Sequence, residues 1–169
     1  HRNLVGDLSV TSFTLINANT NLPALATDLV DGMTVNLAEV GTVLNVRANV
    51  PGTPGSVKLH LNNAFDIIEN VPPFALFGDS SGDYFAGSFA EGTNTVKATA
   101  YEGAGATGAV GAPLSVTFHV INKPVGLKVT SFTLINADTN QPALATDLVD
   151  ETTVNLAEVG TMALNIRAN

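Results

Sequence analysis

Hydrophobic and polar residues alternate with a period of two along most of this chain. Val57, Leu59 and Leu61 alternate with Lys58, His60 and Asn62, the pattern of a half-buried antiparallel strand. Val96, Ala98 and Ala100 stand opposite Thr95, Lys97, Thr99 and Tyr101. Near the N-terminus, Leu8, Val10, Ser12, Thr14 and Ile16 alternate with Ser9, Thr11, Phe13 and Leu15, a β-branched run suited to a strand. Further strands are predicted at 33–37, at 43–50 (where Leu44, Val46 and Ala48 share a face), and at 73–77, 84–89 and 114–121. Turn chemistry separates them at 17–23, at Pro51–Gly55 and in the Gly/Ala-rich run 102–113, because Asn tolerates left-handed backbone and Pro ends pairing. Residues 24–31 read as loop or as a helical turn, and ~8 residues are too few for a helix that stands alone. About eight short strands at roughly 8–15-residue spacing predict an all-β sandwich.

The same pattern occurs twice. Residues 10–49 recur as residues 129–169, with 34 of 40 aligned positions identical. The differences are Asn19/Asp138, Leu22/Gln141, Gly32/Glu151, Met33/Thr152, Val43/Met162 and Val46/Ile166. One extra residue follows Gly160, between two predicted strands, where a turn or bulge absorbs it. Inside a strand it would turn every later side chain to the wrong face. A period of about 120 residues suits one sandwich domain rather than a solenoid unit. The expected organisation is the end of a preceding linker (1–8), a complete repeat (9–122), a linker (123–128) and the first strands of a second repeat (129–169).

Composition narrows the function classes. The 169 residues carry Lys+Arg 7 against Asp+Glu 15, a formal net charge of −8. Seven scattered cations make a poor nucleic-acid surface, since phosphate neutralisation needs clustered Lys and Arg. With no Cys there is no disulfide framework, thiol nucleophile or zinc ribbon. No apolar run approaches the ~20 residues of a membrane span. The sequence opens on His1, with neither an initiator Met nor a signal peptide, and is expected to be an internal piece of a longer polypeptide.

Candidate chemistry is sparse. His1, His60 and His119 lie far apart in sequence, and the latter two sit on separate strands as surface residues. No G-x-S-x-G elbow is present, and the run EGAGATGAVG lacks the Lys and the following helix of a phosphate loop. Asp79, Ser81 and Asp83 alternate around Gly82 like the ligands of an oxygen-rich calcium loop, without the bidentate Glu of an EF-hand. The competing reading is a polar turn. Asp28 and Asp31, with Asn17, Asn19 and Asn21, form a second oxygen-rich cluster that recurs at Asp147 and Asp150. Calcium is the one cofactor these residues could take, as a weak junction site; the alternative is a set of Asx-turns. Tyr84 with Phe85 is a candidate platform for a polysaccharide, in a chain that has no Trp.

Val57–Leu61, Pro72–Phe77, Gly92–Tyr101 (GTNTVKATAY) and Pro113–Val120 (PLSVTFHV), preceded by FTLINADTNQP and LNIRAN, resemble the tandem immunoglobulin-like modules of large secreted and cell-surface bacterial proteins. The resemblance covers nearly the whole chain. It implies an immunoglobulin-like antiparallel β-sandwich, an extracellular or cell-surface setting, and neighbouring repeats or copies of the chain itself as partners. Because such sandwiches host many functions, the expectation is a non-catalytic stalk, spacer or filament-building unit. The alternative is an adhesive module that binds carbohydrate or a surface. Residues 129–169 lack the strands that would cover them, so Val129, Phe132, Leu134, Val154, Leu156, Leu164 and Ile166 are candidate assembly residues. Two arrangements would supply the missing cover. Either these residues belong to a longer array of repeats, or they dock where residues 10–49 of another molecule would sit.

Overall fold

The computed structural model describes residues 7–126, 129–160 and 163–169. The chain divides into two compact units, His1–Val125 and Gly126–Asn169. Both are built almost entirely of antiparallel β-structure.

The first unit is a sandwich of two sheets. Sheet one is formed by β1 (Ser12–Asn17), β2 (Leu22–Pro23), β4 (Leu44–Asn49) and β7 (Phe74–Ala75), in the order β2-β1-β4-β7. Sheet two holds β3 (Thr34–Asn36), β5 (Ser56–Leu61), β6 (Phe65–Glu69), β10 (Gly92–Gly103), β11 (Thr107–Val110) and β12 (Leu114–Ile121). Its order is β3-β12-β10-β5-β6, with β11 folded onto the end of β10. A small hairpin, β8 (Asp79–Ser80) with β9 (Asp83–Tyr84), stands apart.

Alternation decides which side chains meet. Leu44, Val46 and Ala48 of β4 and Phe13 and Leu15 of β1 point inward. They meet Val57 and Leu59 of β5, Val96, Ala98 and Ala100 of β10, and Val116, Phe118 and Val120 of β12. Each fully buried Val, Leu or Phe contributes roughly 1.5–3 kcal/mol over an exposed one. Phe65, Phe77, Phe89 and Phe118 form a continuous aromatic row with centroids 5.6–5.8 Å apart. Gly87 lies directly under the Phe77 ring, where any Cβ would overlap it.

Several elements differ from the expectation. The first alternating run changes parity, because Thr11 and Ser12 both face Asn49. Leu8 and Val10 therefore share the core with Phe13 and Leu15 rather than opposing them. Residues 24–31 form no helix; Leu29 bridges Phe13 and carries the chain towards sheet two. The helical turn falls later, in α1 (Leu37–Val40), where the Asn36 side chain accepts from Ala38 N at 3.2 Å. β6 was not expected, and β11 lies in the run expected to be a Gly/Ala loop. The aromatic run 84–89 contributes only Tyr84 to a strand and a bridge from Gly87 to Leu44.

The second unit contains β13 (Phe132–Asn136), β14 (Gln141–Pro142), α2 (Leu156–Val159) and β15 (Leu164–Ala168), with sheet order β14-β13-β15. It reproduces β2-β1-β4 in the same register. Phe13 faces Ala48 and Leu15 faces Val46, while Phe132 faces Ala168 and Leu134 faces Ile166. Ala18 N donates to Val43 O at 3.0 Å, and Ala137 N donates to Ala163 O at 2.7 Å. Ala163, not Met162, thus takes the place of Val43. The extra residue falls at 161–162, outside the described residues, and the strand register survives it.

Candidate assembly surface

Within the first unit, residues 8–49 behave as one half of the sandwich and residues 50–121 as the other. The interface between them is both apolar and hydrogen-bonded. Three asparagines reach out of the first half, two into the second and one to Lys123 just beyond it. Asn45 is fully buried; its Nδ2 donates to Gly78 O (3.0 Å) and Phe85 O (2.8 Å), and its Oδ1 accepts from Phe77 N (3.1 Å) and Val46 N (2.8 Å). Asn21 donates to Asp83 Oδ1 at 3.1 Å and accepts from Tyr84 N at 2.9 Å. Asn36 donates to Lys123 O at 2.8 Å and accepts from Lys123 N at 3.0 Å. Asp31 Oδ1 accepts from Thr117 N at 2.8 Å, and β3 pairs in parallel with β12 through His119↔Thr34 and Ile121↔Asn36.

The second unit carries the same residues without the second half. Phe132 is 48% exposed where its counterpart Phe13 is 0%, and Ile166 is 57% exposed where Val46 is 0%. Val129 and Leu156 are also exposed, Val154 and Leu164 are half-buried, and Leu134 is buried. Residues 153–155, the counterparts of β3, are not a strand. A strand needs a ladder partner, and in the first unit that partner is β12. Among the described residues, the Asn165 and Asn155 side chains make only local bonds, to Ile166 N and Ala157 N.

One polar cluster is complete in both units because it lies within the first half. Thr14 Oγ1 donates to Asp28 Oδ1 at 2.6 Å, Arg47 Nε donates to Asn49 Oδ1 at 2.9 Å, and Asn49 Nδ2 donates to Ser12 and Thr14 at 2.9 Å. Thr133, Asp147, Arg167, Asn169 and Ser131 repeat this at 2.6–3.0 Å. Hydrogen bonds from Thr133 and Ser131, aided by the nearby Arg167 charge, hold the Asp147 carboxyl below its ordinary value. The network ties the 24–31 crossing segment, and its copy at 143–150, to the outer face of the strand pair.

Of the calcium candidates, two lie in different networks and three on one hairpin. Asp28 is bonded to Thr14 and Asp31 to Thr117, in different networks. Asp79, Ser81 and Asp83 form the β8–β9 hairpin, whose turn places Ser81 and Gly82 at φ 53° and 89°. There Asp79 Oδ2 accepts from Gly82 N at 2.6 Å, and Asp83 is held by Asn21. Among the described residues no three His, Cys, Asp or Glu side chains converge on a cation position. Glu69, close to this hairpin, has its carboxyl raised by burial and by the Asp79 charge.

Tyr84 does not present a platform with Phe85. It is buried with Ile16, Ala18 and Ala75, while Phe85 is exposed. Alternation along an edge hairpin sends adjacent residues to opposite faces, and the outer surface of β1 claims Tyr84. His60 pairs with Asp66 across β5 and β6, and His119 is exposed beside β3. Lys97 and Ser115 continue the His60 row across the solvent face of sheet two. No helix among the described residues is long and apolar enough to cross a membrane.

The chain matches no family model, no curated protein and no solved structure. Its likeness to immunoglobulin-like modules therefore stands on sequence motifs alone.

Proposed function

We propose that this chain is a non-catalytic structural repeat of an extracellular array, acting as a spacer, stalk or filament-building module. The observation that carries this reading is where the chain enters and leaves the sandwich of the first unit. Leu8 packs on the backbone of Gly111, and Val10 N donates to Ala112 O at 3.2 Å, beside the start of β12. The chain leaves at Ile121, the other end of the same strand. Tension applied through the two ends therefore runs along β12, a distance of about 33 Å from Gly111 to Ile121 at ~3.3 Å per residue. It loads the β3–β12 and β10–β12 ladders lengthwise, so many hydrogen bonds resist together rather than opening one at a time.

Immunoglobulin-like kinship and an exported setting belong to the same reading, supported by the repeat, the motif resemblance, the acidic balance and the absence of Cys. Single-molecule pulling on the chain held by its ends tests it. The expected record is one discrete rupture of the first unit with a contour gain on the order of 400 Å, from residues 8–121 at ~3.6 Å each. Smooth extension with no resisting step would reject the load-bearing role.

A further inference from the structure

Sheet two turns one face to the core and the other to solvent, and the solvent face gathers cationic groups in an otherwise acidic chain. Its paired positions hold Lys58 and His60 on β5, Lys97 on β10 and His119 on β12, in a sequence of formal net charge −8. We propose that this face binds an acidic polysaccharide, whose carboxylates are held by Lys58 and Lys97 and whose hydroxyls are held by the polar side chains beside them. The proposal is independent of the load-bearing reading.

The register sets the charges side by side. Asp66, His60, Lys97 and Ser115 are successive partners across β6, β5, β10 and β12. Lys97 lies one strand from His60, about 5 Å, and Lys58 lies two residues along β5, about 7 Å. The two lysine positions are therefore roughly 8 Å apart on the diagonal, within one screening length at physiological salt. Their fields add at the surface, while carboxylates on the rest of the chain are screened from it. Lys97 is exposed and Lys58 half-buried. The ion pair of this row joins His60 to Asp66, so the nearest carboxylate is taken by the histidine and, among the described residues, neither lysine is paired. At the margins, Asp31 Oδ1 accepts from Thr117 N at 2.8 Å, and Glu91 stands just before the first residue of β10.

A cleft of about 550 Å³ opens beside this row, bordered by His60, Asn62, Thr93, Thr95, Lys97 and Ser115. Its rim at Asn62 and Asn63 is a turn with both residues at positive φ, 52° and 55°. Asn62 is fastened there, donating to Asn94 Oδ1 at 3.0 Å and accepting from Thr95 N at 2.7 Å. Thr95 Oγ1 lies 2.9 Å from Thr117 Oγ1. Because an ionised carboxylate only accepts, the Asp66 pair draws the Nδ1 proton of His60 and leaves Nε2 for a ligand.

The chemistry of the lining selects the occupant. A protein partner is anchored by aromatic or apolar side chains in dry pockets, and every side chain bordering this cleft is polar. A nucleic acid needs more clustered cations and aromatic rings for its bases to stack on. Hydroxyls at Thr93, Thr95 and Ser115 donate and accept, as sugar hydroxyls do. Two unpaired ammonium groups add a preference for acidic sugars over neutral ones.

Affinity electrophoresis of the whole chain tests this, in gels at about 0.1 M salt that hold polygalacturonate, neutral dextran or single-stranded DNA. Polygalacturonate should retard the wild type and dextran should not. Lys58→Gln and Lys97→Gln should each weaken retardation about three- to fivefold, the scale of one exposed charge contact, and the double variant should abolish it. Lys123→Gln, beyond the end of β12, should behave as the wild type. Unchanged circular dichroism and Tm in the double variant would show that binding, not folding, was lost. Retardation should also vanish at 1 M salt, where screening acts over about 3 Å. Any one of these results would overturn the proposal: no retardation by polygalacturonate, equal retardation by dextran, stronger retardation by the DNA, persistence at 1 M salt, or binding that survives in the folded double variant.

Discussion

Asn45 and Asn165 are the same residue in two copies of one strand, and only Asn45 meets the 50–121 half. Replacing Asn45 by Ala removes four hydrogen bonds and leaves Phe85 O and Phe77 N facing a void, while Gly78 O keeps its bond from Phe85 N. A net hydrogen bond is worth about 1 kcal/mol, and a buried group left unpaired costs about 1–3 kcal/mol. Partial relaxation of the 76–85 segment brings the expected loss to about 3–5 kcal/mol. That is a large share of the 5–15 kcal/mol that holds an ordinary domain. With a urea dependence of about 2 kcal/mol per molar, the midpoint should fall by roughly 2 M. Asn165→Ala makes the identical chemical change at an exposed position and should stay within about 0.5 kcal/mol. Urea unfolding followed by circular dichroism and by the fluorescence of Tyr84 and Tyr101 measures both. Asn45→Asp should do at least as much damage at neutral pH, because a carboxylate would face two carbonyl oxygens. Equal shifts for Asn45→Ala and Asn165→Ala, or a loss below 1 kcal/mol at Asn45, would refute the assignment of this amide as the clamp between the two halves.

Tyr84→Ala should destabilise the first unit by about 3–5 kcal/mol, as truncation of a buried aromatic does, whereas Phe85→Ala should change stability little; denaturant midpoints compare them. Gly87→Ala should cost about 1–3 kcal/mol by driving a methyl group into the Phe77 ring, read as a lower Tm. Glu69→Gln should raise stability at pH 7 and leave it unchanged near pH 3. The Glu69 carboxyl is raised in the folded state, so its favourable contribution is full below the unfolded value and is lost as pH rises through the folded one. The gain is therefore confined to pH above the carboxylate range, and a gain at pH 3 would contradict the assignment. Added calcium should leave Tm unchanged within error, since a ligand that binds only the folded state raises it and the described carboxylates do not converge.

Much of the architecture was legible because period-two alternation is a direct record of which face is buried. The strands at 57–61, 95–101 and 114–121 could be read from their alternation alone. Residues 65–69 (FDIIE) carry no clean alternation, and their strand exists because β5 offers a ladder edge from His60 and its neighbours. The Gly/Ala run reads as loop by propensity, yet it returns along β10 through left-handed positions at Gly105, Ala106 and Gly108. The parity change at Thr11 and Ser12 was hidden because Ser and Thr suit either face of a sheet. The repeat made the apolar positions of residues 129–169 readable, since Phe132 and Ile166 correspond to Phe13 and Val46 in the core of the first unit. The three asparagine clamps were not visible: Asn in β-rich sequence reads as turn chemistry, and only the tertiary pairing shows that Asn45 spans two segments. Tyr84 misled for a related reason, since an aromatic beside a polar turn looks the same whether it faces water or a neighbouring sheet.

The double grip of Asn36 on Lys123 carries the bonding of the first unit two residues past the end of β12. If the grip is released, Asn122 and Lys123 come free of the first unit, so exchange of the Lys123 amide would report whether the clasp is closed.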